Sequence, residues 1–127
     1  LVRIIRYLKA WSDNVKSKTD RKMPSGLALT IWAIEHYEDD NRDDVAFMKT
    51  ATGILNYLKD NFQFSWKAKM PVAPYDNVLD RLSGSQKDFF YNELEGMISN
   101  ALEALSADNR SSAIKYWKKI FGYRFSF

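Results

Sequence analysis

Met23-Pro24-Ser25-Gly26-Leu27-Ala28-Leu29-Thr30-Ile31-Trp32-Ala33-Ile34 is the stretch whose reading decides the fold. From Leu27 to Ile34 only Thr30 is polar. A helix apolar on nearly all sides has no solvent face, so it belongs in the middle of a bundle. An apolar run of this length also fits a buried strand. Pro24 argues for the helix, because proline suits the first helical turn. The polar continuation Glu35-His36-Tyr37-Glu38, at helical spacing, agrees. Upstream, the helix carrying Leu8-Lys9-Ala10-Trp11 has the opposite character, amphipathic and basic. A basic helix, a polar loop and Pro24-Ser25 opening a buried helix together form the feature that speaks to function.

Outward from this pivot the periodicity predicts an all-α bundle of about five helices. The first spans about 1–17, with Leu1, Ile4, Leu8, Trp11 and Val15 on one face and Arg6, Lys9, Asp13 and Lys16 on a second stripe. The second spans about 24–40 and ends among carboxylates that oppose its macrodipole. The third spans about 43–62, capped by Asn41 or Asp43, with Phe47, Ala51, Leu55, Leu58 and Phe62 inward. Gly53 inside it costs about 1 kcal/mol relative to alanine and implies close packing against a neighbour.

Pro71 and Pro74 then forbid a regular helix, so 63–82 reads as an extended connector with one turn near 76–81. Phe64, Trp66, Val72 and Tyr75 are its candidate anchors. The fourth helix spans about 85–106, capped by Ser83 or Ser85, with Asp88 completing a box from Ser85. Phe90, Leu94, Met97 or Ile98, Ala101 and Leu105 face inward. The fifth spans about 109–121, capped by Asp108, with Ala113, Ile114, Trp117 and Phe121 on its apolar side and Gly122 at its end. The aromatic tail 123–127 is expected to pack back on the bundle.

A length of 127 residues bounds the chain to one domain. Hydrophobic content of 46% and aromatic content of 15% fit a packed core. With no cysteine, disulfides and thiolate metal sites are excluded, which suits a reducing, cytoplasmic setting. No apolar run reaches the roughly 20 residues of a membrane span, and no stretch reads as a signal peptide. The chain starts Leu-Val-Arg-Ile-Ile, without methionine and already in helical rhythm, so more chain is expected upstream.

Charge is unevenly spread. Residues 1–22 hold seven basic and two acidic residues, 35–44 hold six acidic and one basic, and 110–127 hold five basic and none acidic. If the two basic ends meet in space, they form a positive surface that attracts phosphate; otherwise they are solvated faces.

Catalytic constellations are missing. His36 is the only histidine, so multi-histidine metal sites are excluded and a structural role is favoured. Ser83-Gly84-Ser85 lacks the spacing and the lysine of a phosphate loop and reads as a turn with a helix cap. The pairs Asp39-Asp40 and Asp43-Asp44 lack calcium-loop spacing and read as loop solvation.

Three segments carry a family resemblance. Val2-Arg3-Ile4-Ile5-Arg6-Tyr7-Leu8-Lys9-Ala10-Trp11 resembles a "VRxxKxW" helix. Met23-Pro24-Ser25-Gly26-Leu27-Ala28-Leu29, followed by Glu35-His36-Tyr37, resembles the helix after the loop. Ala113-Ile114-Lys115-Tyr116-Trp117-Lys118-Lys119-Ile120-Phe121-Gly122 with Arg124-Phe125 resembles a C-terminal end. In this order and spacing they resemble the helical C-terminal half of the oligoadenylate synthetase and cyclic GMP-AMP synthase-like nucleotidyltransferases, including the bacterial anti-phage oligonucleotide cyclases. The fold so implied is the substrate-binding domain shared with poly(A) polymerases.

The resemblance implies that Lys9 reaches the triphosphate of a nucleotide and that Ser25 hydrogen-bonds the same phosphates. The physics agrees: lysine supplies a mobile charge and a helix N-terminus offers free N–H groups. It also implies a separate N-terminal catalytic half, whose acidic residues hold two magnesium ions. In several members a tyrosine that stacks on the base follows the serine; here it is Gly26. Taken without the resemblance, Lys9 is a solvated lysine and Ser25 a helix cap.

The leading expectation is therefore the nucleotide-binding half of an enzyme making cyclic or linear second messengers from ATP or GTP, inactive alone. The alternative is a non-enzymatic helical module that binds a protein or RNA partner through its basic ends. No membrane partner is expected, and nucleic acid is possible but not favoured.

Overall fold

A computed structural model describes residues 1–79 and 81–123. Among them the chain is all-helical: α1 (Val2–Thr19), α2 (Gly26–His36), α3 (Asp43–Asp60), a short 3-10 turn at Gln63–Ser65, α4 (Gly84–Leu105) and α5 (Arg110–Phe121). There is no sheet among them; a single antiparallel bridge joins Lys69 and Asn77 in the connector.

The apolar faces close on one another. α2 packs on α1 and α3, α4 packs on α3 and α5, and α5 returns to α1. Phe90 of α4 sits at the junction, its ring 5.9 Å from Trp11 of α1 and 5.7 Å from Trp32 of α2. Fully burying a ring of this size contributes about 1.5–3 kcal/mol relative to exposure, so the junction ties three helices together.

α1 buries Ile4, Leu8, Trp11 and Val15, as the spacing predicts, but Leu1 is exposed because it precedes the helix. α2 departs from expectation in two ways. It starts at Gly26 and stops at His36, where the backbone turns extended at Tyr37. Pro24 therefore lies outside the helix, and Ser25 is the cap. It is also not enclosed: Ala28, Leu29, Ile31, Trp32 and Ala33 are buried, but Leu27 is 47% and Ile34 57% exposed. The faces toward α1, α3, the connector and Phe90 of α4 are covered, which leaves a stripe open at positions i and i+7.

α3 has Arg42 at its N-cap position without a side-chain cap, instead of Asn41 or Asp43. Asp43 and Asp44 in its first turn complement the helix dipole instead. The helix ends at Asp60, so Phe62 is 76% exposed and not part of the core. Gly53 does pack closely: a Cβ there would lie 3.3 Å from both the Cβ and the backbone oxygen of His36.

Of the connector's expected anchors only Trp66 is buried; Phe64, Val72 and Tyr75 are exposed, and Ala68 and Leu79 are the other buried groups. Hydrogen bonding selects Trp66. Its indole N–H donates to Leu58 O at 3.0 Å, while Trp32 Nε1 donates to Lys67 O at 2.8 Å. Asn77 Oδ1 accepts from the N–H groups of Ala68 and Leu79 and folds the connector on itself.

α4 is capped by Ser83, whose hydroxyl accepts from Gln86 N–H while Gln86 Oε1 accepts from Ser83 N–H. The box is thus Ser83 with Gln86, not Ser85 with Asp88. Leu105 is only partly buried and Ala104 takes its inward place. α5 is capped by Asn109, not Asp108, through a 2.8 Å bond from Ser112 N–H. Trp117, Ile120 and Phe121 are its buried face, and Ala113 and Ile114 are only partly covered. Tyr123 is exposed rather than packed back, and residues 124–127 lie outside the described residues.

Candidate functional site

The two residues singled out from the sequence lie at one place. Lys9 is exposed on α1, and its side chain runs across the start of α2: a Cβ added to Gly26 would lie 3.3 Å from Lys9 Cε and 3.8 Å from its Nζ. Ser25 is the next residue back along the chain, at the N-cap of α2. The ammonium and the amino end of the apolar helix therefore share one surface. The juxtaposition follows from α1 packing on α2, with Leu8 buried in the core and its neighbour Lys9 turned to solvent.

The chemistry at this end is cationic and rich in donors. Ser25 Oγ accepts from Ala28 N–H at 3.1 Å, and Ser25 O accepts from Leu29 N–H. The cap uses a lone pair of the hydroxyl and leaves its O–H free to donate. The N–H groups of Gly26 and Leu27 have no protein partner among the described residues, as expected for the first turn of a helix. Lys9 has no ion-pair partner among them either. An anion placed here meets an ammonium, a hydroxyl, two amides and the positive end of the helix dipole. The aliphatic stem of Lys9 occupies the space beside Gly26, so a larger side chain there would have to displace it.

The other candidates sit elsewhere, among contacts of their own. His36 ends α2 with its ring centroid 5.3 Å from that of Tyr57 and its Nε2 buried without a partner. Burial lowers its pKa, and Glu35 opposes the shift. The aspartates of the α2–α3 junction are engaged with neighbours. Asp40 pairs with Lys49 at 3.0 Å, Asp43 with Arg3 at 2.9 Å and Asp44 with Arg42 at 2.6 Å, while Asp39 accepts from Tyr37 O–H. The Arg42 N–H and Lys49 hold the Asp40 pKa below its ordinary value. Among the described residues no three carboxylates or histidines are grouped to hold a metal, and no helix is long and apolar enough to cross a membrane.

Sequence reasoning left open whether the basic ends meet. They do. Asn14 Nδ2 donates to Ile120 O at 2.9 Å and binds α1 to the last turn of α5. The groove between them, about 930 Å³, is lined by Lys18, Lys115, Lys118 and Lys119. Its one acidic residue, Asp13, pairs with Lys16. A second groove between α3 and α5, with aromatic walls, had no signal in the sequence beyond helical spacing. No protein-family model matches the chain.

Proposed function

We propose that the chain is the nucleotide-binding helical half of a nucleotidyltransferase that makes cyclic or linear oligonucleotide second messengers from ATP or GTP, in the cytoplasm of bacteria and in anti-phage signalling. The observation that carries the reading is Lys9 lying across Gly26 at the uncovered amino end of α2. The domain's part is to position the triphosphate and neutralise its charge. Lys9 contributes the point charge, Ser25 O–H and the Gly26 and Leu27 amides the directed donors. The magnesium ions belong with the acidic residues of the catalytic half, where they would assist attack of a ribose hydroxyl on the α-phosphate. The open stripe runs from Leu27, at the same end of α2, to Ile34 near its other end, and suits contact with that half.

The test is made in the protein with its catalytic half in place. Lys9→Ala is expected to weaken nucleotide binding and turnover by about tenfold or more, the scale of one charged hydrogen bond. Ser25→Asp keeps the cap and the fold but puts a carboxylate where phosphate would sit, so it is expected to lose nucleotide affinity without losing stability. Unchanged affinity and turnover in both variants would show the phosphate role to be wrong.

The lysine groove favours a second reading, a module that binds RNA through its basic ends. Its signature is RNA affinity in the same preparations that falls steeply with salt and is indifferent to Lys9→Ala.

A further inference from the structure

We propose that the paired rings of Phe62 and Phe64 are a stacking platform for a base of single-stranded nucleic acid. The platform is built by the end of α3, the turn after it and the start of α4. It shares no residue with the Lys9–Ser25 end or with the lysine groove, and it rests on neither reading.

The two rings stand in solvent on a turn that is itself tied down. Phe62 is 76% and Phe64 82% exposed, and their rings are stacked, with planes 2° and centroids 5.7 Å apart. Two phenyl rings left in water forgo the burial that holds the rest of the chain together. The backbone around them had the means to hide side chains, for Trp66, two residues on, is buried. Its indole N–H donates to Leu58 O at 3.0 Å and to Asn61 O at 3.2 Å. Gln63, between the two rings in sequence, is taken up by α4: its amide donates to Asp88, and its carbonyl accepts from Lys87 Nζ at 3.3 Å. Ordering side chains on binding costs affinity, and a pair already stacked on a fixed turn leaves less of that to be done.

The charge around the rings selects an anion. Lys59 stands three residues before Phe62, and Lys67 and Lys69 stand three and five after Phe64. All three are exposed, and none has an ion-pair partner among the described residues. Lys87 is a fourth cation, placed on the turn itself through Gln63. Within 59–69 the one carboxylate is Asp60, and Asp88 is engaged by the Gln63 amide. A nucleotide combines what the two features ask for: a flat π face for the rings and a phosphate for the lysines. Stacking on phenylalanine accepts any base, and lysine answers phosphate as a point charge. An apolar peptide would leave the lysines unanswered, and a bare phosphate would leave the rings in water. Cations on both sides of the ring pair along the chain suit a strand that continues past the stacked base.

The experiment measures fluorescence anisotropy of two end-labelled octamers against the chain, one of deoxythymidine and one abasic with the same phosphates. The thymidine octamer is expected to bind, more weakly as salt rises, and the abasic octamer to bind at least about fivefold more weakly. Phe62→Ala and Phe64→Ala, both at exposed positions, are expected to weaken the thymidine octamer by about five- to hundredfold and to leave the abasic one unchanged. Phe64→Trp, which keeps a ring, should bind at least as well as the wild type. Lys118→Glu, in the lysine groove, should leave the difference between the octamers intact. The proposal is overturned if the two octamers bind alike, if the alanine variants weaken both or neither, if Phe64→Trp does no better than Phe64→Ala, or if Lys118→Glu removes the difference. It is also overturned if the rings are needed for binding phosphatidylglycerol vesicles while the thymidine octamer does not bind, which would make them a lipid contact.

Discussion

His36 shows how one buried atom sets a pH response. Its Nε2 has no partner, and desolvation, partly opposed by Glu35, holds its pKa below the ordinary 6.5. The unfolded chain therefore takes up this proton at a higher pH than the folded protein does. The stability conferred by the neutral ring is complete above the unfolded value and is lost as pH falls through the lower folded value. Denaturant unfolding should thus show a loss of stability on acidification from about pH 7 to pH 5. His36→Leu should flatten that part of the curve, and parallel curves for the two proteins would remove His36 as its cause. Asp40, whose pKa is also lowered, acts in a separate window, because its contribution is present above the ordinary carboxylate value of 3.8 and lost below it. Residue type alone foretold some single-residue roles: serine before an apolar helix is a cap, and Ser25 is one. It could not foretell Asn14, whose partner lies 106 residues away.

At the scale of elements, glycine separates intrinsic propensity from packing. Gly53 and Gly96 both interrupt helices, and each costs about 1 kcal/mol relative to alanine in an unpacked helix. A Cβ at Gly96 would meet nothing within 4 Å, whereas one at Gly53 would press on His36 Cβ and its carbonyl at 3.3 Å. Neither His36 atom is the far end of a flexible side chain. Gly96→Ala should therefore stabilise by about 0.5–1 kcal/mol. Gly53→Ala should gain less or nothing, and Gly53→Val should destabilise by about 1–3 kcal/mol through overpacking. Chemical denaturation of the three variants checks this order, and equal gains for both alanines would contradict it. The five helices were legible because each carries a 3.6-residue apolar rhythm. Their ends were less so, since Ser83, Ser85, Asp108 and Asn109 are all competent caps and tertiary packing chooses among them. The open stripe of α2 was not legible at all: an apolar run records what can be buried, not which neighbours arrive to bury it.

Across the whole molecule, the first and last helices meet, and this contact turns two separate basic segments into one lysine-lined groove. Lys115 stands three and four residues from Lys118 and Lys119, a spacing at which like charges repel on a helix. α5 is held against α1 despite that repulsion, and the Asn14–Gly122 contact is one reason. Asn14 Nδ2 donates to the α5 carbonyl of Ile120, and Gly122 ends the helix at φ 87°, its N–H donating to Lys118 O. A Cβ on Gly122 would fall 2.7 Å from Asn14 Oδ1, closer than such atoms approach. Two separate costs follow for Gly122→Ala: backbone strain of about 1–3 kcal/mol, and the clash. Only the clash depends on Asn14. Asn14→Ala alone should cost about 1–2 kcal/mol for the lost hydrogen bond, and in its presence Gly122→Ala should cost less than in the wild type. A double-mutant cycle by urea unfolding reads the difference. Additivity within about 0.5 kcal/mol would mean that strain alone keeps glycine there and that the lock between the chain's first and last helices lies elsewhere.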